Sequence, residues 1–149
     1  MTMIRTRVIG TGSYLPSRVV PNEEIAQAVG VSPAHIQRLT GIRSRHWAGD
    51  QEAASDLAIA AGRLALEAAG CEASAIDAIV LSTTSPDMAF PSTACLVQRG
   101  LGCKPVGAFD VSASCSGFLY GLSMAQAMIQ SGQVKTCLLV AAEVKSRTL

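Results

Sequence analysis

Charged and aromatic residues are scarce in this sequence, and each shortage argues against a class of partner. Of the 149 residues, only 15% are charged and 4% are aromatic, and the formal net charge is +1. A near-neutral chain lacks the basic footprint that nucleic acid or an anionic membrane surface attracts, and few aromatic side chains are present to stack on bases. We therefore expect neither nucleic acid nor a membrane to be the main partner.

Long apolar segments and metal-binding motifs are also missing. The N-terminal residues Met1–Arg5 lack the apolar core of a signal peptide, and apolar runs such as Cys137–Ala142 are too short to span a bilayer. The sequence contains no Cys-x-x-Cys pair and no Cys/His cluster, so it does not predict a zinc site. An odd number of cysteines without close pairing indicates reduced thiols, so we expect a cytoplasmic protein without a metal. The cysteines are Cys71, Cys95, Cys103, Cys115 and Cys137.

The order of the predicted elements indicates one α/β domain over residues 1–149, without an internal repeat, a low-complexity segment or a linker. Apolar and β-branched runs predict strands at Ile4–Ile9, Ile76–Leu81, Val106–Val111 and Val134–Val144. Helical spacing and capping residues predict helices at about 22–30, 33–40, 52–70, 92–101 and 114–129. This order favours right-handed crossovers and a largely parallel sheet with helices on both faces.

Capping and turn residues give finer predictions near the start of the chain. Asn22 is a good N-cap for the first helix, and Pro33 suits the first position of the second helix. Gly10 and Gly12 follow the first predicted strand, but the third glycine of a dinucleotide fingerprint is absent. We interpret these glycines as a turn that needs glycine dihedrals.

The most informative stretch follows the strand Val106–Val111. Small residues lead from this strand into a helix that begins at about Ser114, so Cys115 is predicted at or just inside a helix N-terminus. Free N–H groups and the helix dipole favour a thiolate there, and such a thiolate attacks carbonyls at neutral pH. The layout is that of a serine nucleophile elbow. On spacing alone, Cys115 is either a nucleophile or a core cysteine that packs as a small hydrophobe.

Two further segments have features relevant to a site or an interface. The helix after Cys115 is apolar on nearly all sides, which predicts that it is buried. The segment Gly41–Trp47 is basic and predicted to be partly exposed. It is either a solvated loop or a binding surface.

Six stretches of the chain carry a family resemblance. They are Ile9–Pro16, Thr40–His46, Thr83–Pro86, Ala89–Ser92, Asp110–Phe118 and Ser131–Lys135. In this order, and over essentially the whole chain, they resemble the 3-oxoacyl-acyl-carrier-protein synthase III family of the thiolase superfamily. The resemblance implies the N-terminal half of a thiolase-like fold, with a mixed, largely parallel sheet and one buried helix that carries the cysteine. It also implies that Cys115 is the acyl-accepting nucleophile.

The resemblance implies roles for other residues as well. The phenylalanine that matches Phe90 reaches across a homodimer interface into the partner's acyl pocket. The basic region lies at the mouth of a coenzyme A tunnel in the family, where Arg38 and Arg43 would form a lip for phosphate groups. This chain departs from the family pattern at His35, which replaces a stacking aromatic residue, and at Leu39, which replaces an arginine.

The implied reaction joins an acyl group from acyl-coenzyme A, held as a thioester on Cys115, to malonyl-acyl-carrier protein at the start of fatty acid synthesis. The coenzyme A thioester is a substrate, and no cofactor is expected. The family's catalytic histidine and asparagine belong to its C-terminal half, and neither His35 nor His46 matches them. We therefore expect this chain to need that missing half as a partner. The alternatives are a non-catalytic half-subunit and a related transferase that passes the acyl group to an amine, a hydroxyl or another ketide.

Overall fold

The computed structural model describes residues 5–147, and these residues form two compact units. The smaller unit contains residues 15–52 together with 146–147, and the larger unit contains residues 5–14 together with 53–145. None of the helices in the described part of the chain combines the length and the apolar character that crossing a bilayer requires.

The smaller unit consists of a two-stranded antiparallel sheet and two short helices. The strands are β1 (Arg18–Pro21) and β2 (Ser44–Trp47), with Arg18 opposite Trp47. The helices are α1 (Asn22–Val29) and α2 (Pro33–Thr40). The prediction for α2 is confirmed, because Pro33 is its first residue and the Ser32 hydroxyl accepts a hydrogen bond from the His35 N–H at 3.2 Å.

Two predictions in this unit are wrong in detail. Asn22 is the first residue of α1 rather than its N-cap, since its buried side chain donates to the Ile42 carbonyl at 2.8 Å and accepts from Arg45 at 2.6 Å. The segment Gly41–Trp47 is not wholly a loop, because its second part is strand β2. The backbone of β1 supplies the hydrogen bonds that keep this polar stretch extended.

The larger unit is built on a three-stranded parallel sheet, as the sequence predicts. Its strands are β3 (Ala78–Ser82), β4 (Gly107–Val111) and β5 (Cys137–Ala141), in the order β4-β3-β5. Its helices are α3 (Ala54–Ala69), α4 (Thr93–Leu101) and α5 (Gly117–Gln130). Predicted and observed bounds of these six elements agree to within a few residues, except that the predicted Val134–Val144 strand is longer than β5.

The sheet has a core on each face because side chains alternate along the strands. On one face, Ile79 and Leu81 pack with Ala58 of α3 and Val97 of α4. On the other face, Val80 lies beneath α5, next to Gly121.

The first predicted strand is not present among the residues that the structure describes. Ile4 lies outside them, and residues 5–9 pair with no strand. Gly10 and Gly12 do not have positive φ angles, so the predicted need for glycine dihedrals is wrong. A β-carbon at either position would collide with the backbone of α3 at Ala65. These glycines instead allow the segment to lie directly on a helix, which offers it no ladder of strand hydrogen bonds.

The prediction that α5 is buried on all sides is also wrong for this chain. Only a stripe of small residues, Gly117, Gly121 and Ala125, is buried against the sheet. The opposite side of the helix is exposed, including Phe118 and Leu119, and the Leu119 side chain is 64% accessible. Several large exposed apolar side chains on one helix are typical of a protein–protein interface.

Candidate active site

Cys115 lies on a sharp turn between β4 and α5, as predicted. Residues Ser114–Ser116 form a single 3-10 turn, and the α-helix proper begins at Gly117. The Ser116 N–H donates to the Ala113 carbonyl at 3.1 Å. Ser114 has a φ of +48°, a left-handed conformation that is strained for a residue with a side chain. The Cys115 side chain is exposed, so the alternative of a buried core cysteine does not fit.

Glycine residues hold this turn against the sheet. A β-carbon at Gly117 would collide with the hydroxyl of Ser82, which ends β3. One turn later, a β-carbon at Gly121 would collide with Leu139 of β5. Because α5 presents only small residues to the sheet, its first turn lies directly on the carboxyl end of β3. This is the edge of a parallel sheet at which α/β proteins bind ligands.

The loop between β3 and α4 leaves from the same edge and carries Phe90. The Thr83 N–H donates to the Val111 carbonyl at 3.2 Å, which joins the end of β3 to the end of β4. Phe90 precedes a cis peptide bond to Pro91, and its side chain is 88% accessible. The larger unit therefore brings Cys115 and Phe90 to one edge of the sheet.

Carboxylates fix this loop on both sides of Phe90. The Asp87 carboxylate accepts hydrogen bonds from the Ser55 N–H at 2.9 Å and the Ser55 hydroxyl at 2.5 Å. At the other end, the Asp110 carboxylate accepts from the N–H groups of Thr93 at 2.7 Å and Ala94 at 2.8 Å. Asp110 thus caps α4 from a neighbouring strand, which is why the Ser92 side chain makes no capping bond.

A third carboxylate, Glu143, joins the loop to the segment after β5. It accepts hydrogen bonds from the Thr84 N–H at 2.8 Å, the Thr84 hydroxyl at 2.9 Å and the Ser85 hydroxyl. Ser85 in turn accepts from the Val144 N–H at 2.8 Å. Partial burial raises the pKa of Glu143, but the hydrogen bonds from Ser85 and Thr84 and the charge of Lys145 lower it more, so the pKa lies below its ordinary value.

These carboxylates were not among the sequence-predicted site residues. The signal that could have found Asp110 is a charged residue at the end of an apolar strand, two positions before the small-residue turn. Asp87 and Glu143 carry a weaker signal, because their partners are more than 30 residues away in the sequence.

Cys137 and Cys103 are less suited to nucleophilic chemistry than an exposed cysteine. Burial raises the pKa of Cys137 to about 11. Burial and the neighbouring Cys71 raise the pKa of Cys103. Because the thiolate is the reactive form, both residues are poor nucleophiles at neutral pH.

The predicted basic lip belongs to the smaller unit. Arg38 Nη2 lies 3.3 Å from His35 Nδ1 on α2, and Arg43 is exposed just before β2. Leu39 is also exposed. These residues all lie in the smaller unit, whereas Cys115 and Phe90 lie in the larger unit. Among residues 5–147, no cluster of three or more His, Cys, Asp or Glu side chains is arranged to hold a metal ion.

Comparison with known proteins gives one consistent family. The family described as 3-Oxoacyl-[acyl-carrier-protein (ACP)] synthase III matches residues 109–149. The chain is 49% identical to the beta-ketoacyl-[acyl-carrier-protein] synthase III of Ehrlichia canis, over 99% of this chain and 46% of that protein. It therefore spans slightly less than half the length of this relative.

Solved structures agree on the fold. The crystal structure of 3-oxoacyl-[acyl-carrier-protein] synthase III from Aquifex aeolicus superposes with a TM-score of 0.92 at 43% identity, covering 96% of this chain and 46% of that one. The priming β-ketosynthase of the R1128 polyketide pathway superposes with a TM-score of 0.89 at 38% identity, covering 94% and 42%. The predicted thiolase-like α/β fold is confirmed, and nearly the whole chain is similar to about half of a 3-oxoacyl-acyl-carrier-protein synthase III.

Proposed function

We propose that this chain supplies the acyl-accepting nucleophile of a 3-oxoacyl-acyl-carrier-protein synthase III in fatty acid synthesis. The observation that carries the proposal is the exposed Cys115 on a strained turn, at the start of α5 and at the ligand-binding edge of a parallel sheet. The Cys115 thiolate attacks the carbonyl carbon of an acyl-coenzyme A, and the coenzyme A thiolate leaves. The product is an acyl thioester on Cys115.

The second half-reaction extends the acyl chain by two carbons. Malonyl-acyl-carrier protein loses carbon dioxide, and the resulting carbanion attacks the thioester carbonyl. The bond to Cys115 breaks, the thiolate is regenerated, and 3-oxoacyl-acyl-carrier protein is released. No cofactor takes part in this proposal.

The turn itself provides what acylation needs from this chain. Cys115 lies in the 3-10 turn that leads into α5, at the positive end of the helix dipole. The dipole stabilises an oxyanion that forms nearby. The small neighbours Ser114, Ser116 and Gly117 leave the sulfur open to a bulky thioester.

Two further sets of residues have proposed binding roles. The protruding Phe90 would form one wall of an acyl pocket, across the interface of a homodimer. Arg38 and Arg43 would contact the phosphates of coenzyme A or of the carrier protein's phosphopantetheine arm. Because His35 and Leu39 depart from the family pattern, we propose that the phosphate contacts matter more here than stacking on adenine.

We also propose that the complete enzyme includes a further stretch of protein equivalent to the rest of its relatives. The decarboxylating histidine and asparagine implied by the resemblance match no residue of this chain. The exposed apolar side of α5 supports a covering partner. Free thiols and the absence of any long apolar helix among residues 5–147 support a cytoplasmic location.

Intact-protein mass spectrometry tests the nucleophile. The protein is mixed with a panel of acyl-coenzyme A thioesters, and the mass increase is mapped by peptide analysis. We expect one acyl adduct, located on Cys115 and abolished in Cys115→Ala. The matched control is Cys95→Ala, which should retain the adduct. An adduct that persists in Cys115→Ala would overturn the assignment.

Two other functions are each favoured by a specific observation. The exposed apolar side of α5 favours a non-catalytic half-subunit, which would bind acyl-coenzyme A without forming an adduct. Similarity to a priming ketosynthase of polyketide synthesis, together with His35 and Leu39, favours a transferase with another acyl acceptor. That enzyme would form the Cys115 adduct but would pass the acyl group to an amine, a hydroxyl or another ketide in preference to malonyl-acyl-carrier protein.

A further inference from the structure

A chain of hydrogen bonds joins the loop that carries Phe90 to the strand that leads into Cys115. The Asp87 N–H donates to the Thr93 hydroxyl at 3.3 Å. The Thr93 N–H then donates to the Asp110 carboxylate at 2.7 Å. Asp110 lies on β4, five residues before Cys115. Thr93 is therefore one of the residues that connect the loop to the nucleophile strand, together with Ser92, whose hydroxyl donates to the Ala108 carbonyl of β4 at 3.4 Å.

The same contacts close the loop at its base. Residues 88–92 lie between Asp87 and Thr93, and the first of these two is also held by Ser55 at the start of α3. Phe90 is at the middle of this short span, with its ring in solvent. A five-residue span with both ends fixed has few backbone conformations, so the base of the loop determines where the ring projects.

The Thr93 hydroxyl is well placed to fix the loop through its hydrogen bond with the Asp87 N–H. The residue is fully buried, with 0% of its surface accessible. Valine has the same shape but no acceptor, so a valine there would leave the Asp87 N–H without this partner in a partly buried position. Serine would keep the acceptor and lose only a methyl group. The two substitutions therefore separate hydrogen bonding from packing.

We propose that Thr93 is a positioning residue whose hydroxyl fixes the direction in which the Phe90 loop projects. It thereby sets the wall that Phe90 contributes to the partner's acyl pocket, and so selects which acyl chains reach the sulfur there. The inference rests on the proposed function, because it assumes that Cys115 is acylated and that Phe90 forms a wall of the acyl pocket. Thr93 acts through the Phe90 loop and does not touch the reacting atoms.

The test measures acyl selectivity in the catalytically competent assembly that contains this chain. Rates of Cys115 acylation are compared for a short and a long acyl-coenzyme A in the wild type, Thr93→Val and Thr93→Ser. We expect Thr93→Val to change the short-to-long ratio by at least about tenfold, the lower end of the discrimination that one methylene produces in an apolar pocket. Thr93→Ser should stay close to the wild-type ratio.

A control variant separates this effect from a general loss of stability. Asp77 accepts the Lys135 N–H at 3.0 Å and the Thr136 N–H at 3.1 Å just before β3, at the opposite edge of the same sheet. Asp77→Asn weakens comparable hydrogen bonds far from the Phe90 loop, so the ratio of short-chain to long-chain acylation rates should not change. Hydrogen–deuterium exchange gives a second measurement, with faster exchange at residues 88–90 and 92 expected in Thr93→Val and not in Thr93→Ser.

The possible outcomes are distinct. A Thr93→Val protein with the wild-type acyl ratio overturns the inference and leaves the proposed function intact. Equal changes in Thr93→Val and Thr93→Ser also overturn it, since packing and not the hydroxyl would then be responsible. Absence of any Cys115 adduct in the wild type overturns the proposed function itself, and this inference with it.

Discussion

The backbone of Gly117 lies directly against the side chain of Ser82, so that a β-carbon at position 117 would overlap the serine hydroxyl. This contact lies at the start of α5, two residues after Cys115. The position of the nucleophile turn thus depends on a residue that ends the neighbouring part of the sheet.

Gly117→Ala should therefore displace the turn and slow acylation of Cys115 by about 100-fold, the order of loss that a misplacement of about 1 Å produces. The measurement is the rate of adduct formation by mass spectrometry. Gly107→Ala is the matched control, because no atom lies within 4 Å of the β-carbon it would add. The double variant Gly117→Ala with Ser82→Gly should recover much of the rate. Failure of this rescue would mean that the contact with Ser82 is not what excludes a side chain.

Ser114 provides a second prediction because its φ of +48° is strained for any residue except glycine. Ser114→Gly should leave stability unchanged or raise it by up to about 1 kcal/mol, since relief of strain opposes the greater freedom of glycine in the unfolded chain. Ser114→Val should lower stability, because a β-branched residue is least tolerated at positive φ. Chemical denaturation measures both.

Ser131→Gly is the control for this pair. Ser131 has a φ of −74°, where glycine relieves no strain. Glycine there adds unfolded-state freedom and removes the hydrogen bond from the Ser131 hydroxyl to the Met128 carbonyl at 3.0 Å. This substitution should lower stability. If both glycine variants destabilise the protein equally, the strain at the Cys115 turn does not exist in solution.

The parts of the fold that the sequence predicts well are those specified locally. Gly70 and Gly102 end α3 and α4 in the left-handed conformation that glycine favours. The apolar strand β4 lies within its predicted span, and β3 ends only one residue beyond its span, at Ser82. The Cys115 turn lies where it was predicted. In each case the residues that determine the structure are within a few positions of it.

The parts that were mispredicted depend on distant residues. Gly10 and Gly12 are needed because α3 passes over them, about 50 positions later in the chain. Strand β2 forms because β1 supplies its hydrogen bonds, although its own sequence is polar and basic. The exposed side of α5 has apolar residues suited to burial, so composition alone predicted a buried helix. Periodicity within a segment contains no information about which other segment covers it.

Asp110 provides a third prediction, because it caps α4 across the sheet. Its two carboxylate oxygens accept the N–H groups of Thr93 and Ala94 separately. Asp110→Asn keeps the size but offers only one acceptor oxygen, so it should destabilise the protein by about 1–2 kcal/mol in denaturant unfolding. The control is Asp56→Asn, where one exposed hydrogen bond to the Ala53 N–H is affected. A loss no larger than that of the control would contradict a capping role for Asp110.

Glu143 provides the fourth prediction, which concerns acid stability. Although burial raises its pKa, the hydrogen bonds from Ser85 and Thr84 lower it further, so the folded-state pKa lies below the ordinary value of 4.5. A lowered pKa means that the ionised group stabilises the fold above pH 4.5, and that this contribution is lost as the pH falls through the folded-state value. The wild type should lose stability over this acidic range faster than Glu143→Gln, which has no proton to take up. Unfolding curves from pH 7 to pH 3 measure the difference.

We expect the same acid sensitivity from Asp77, which lies at the opposite edge of the sheet and is the control for location. The Lys104 side chain and the N–H groups of Lys135 and Thr136 lower the pKa of Asp77 below its ordinary value, so its contribution to stability is also lost as the pH falls through its folded-state pKa. Both carboxylates should give an acid-sensitive stability, but only loss of the Glu143 contacts should speed hydrogen exchange in the loop that begins at Thr84. If the free energy of unfolding falls equally with pH in the wild type and in Glu143→Gln, Glu143 is not ionised in these hydrogen bonds. Faster loop exchange in Asp77→Asn would show that general loosening, and not the Glu143 contact, controls the loop.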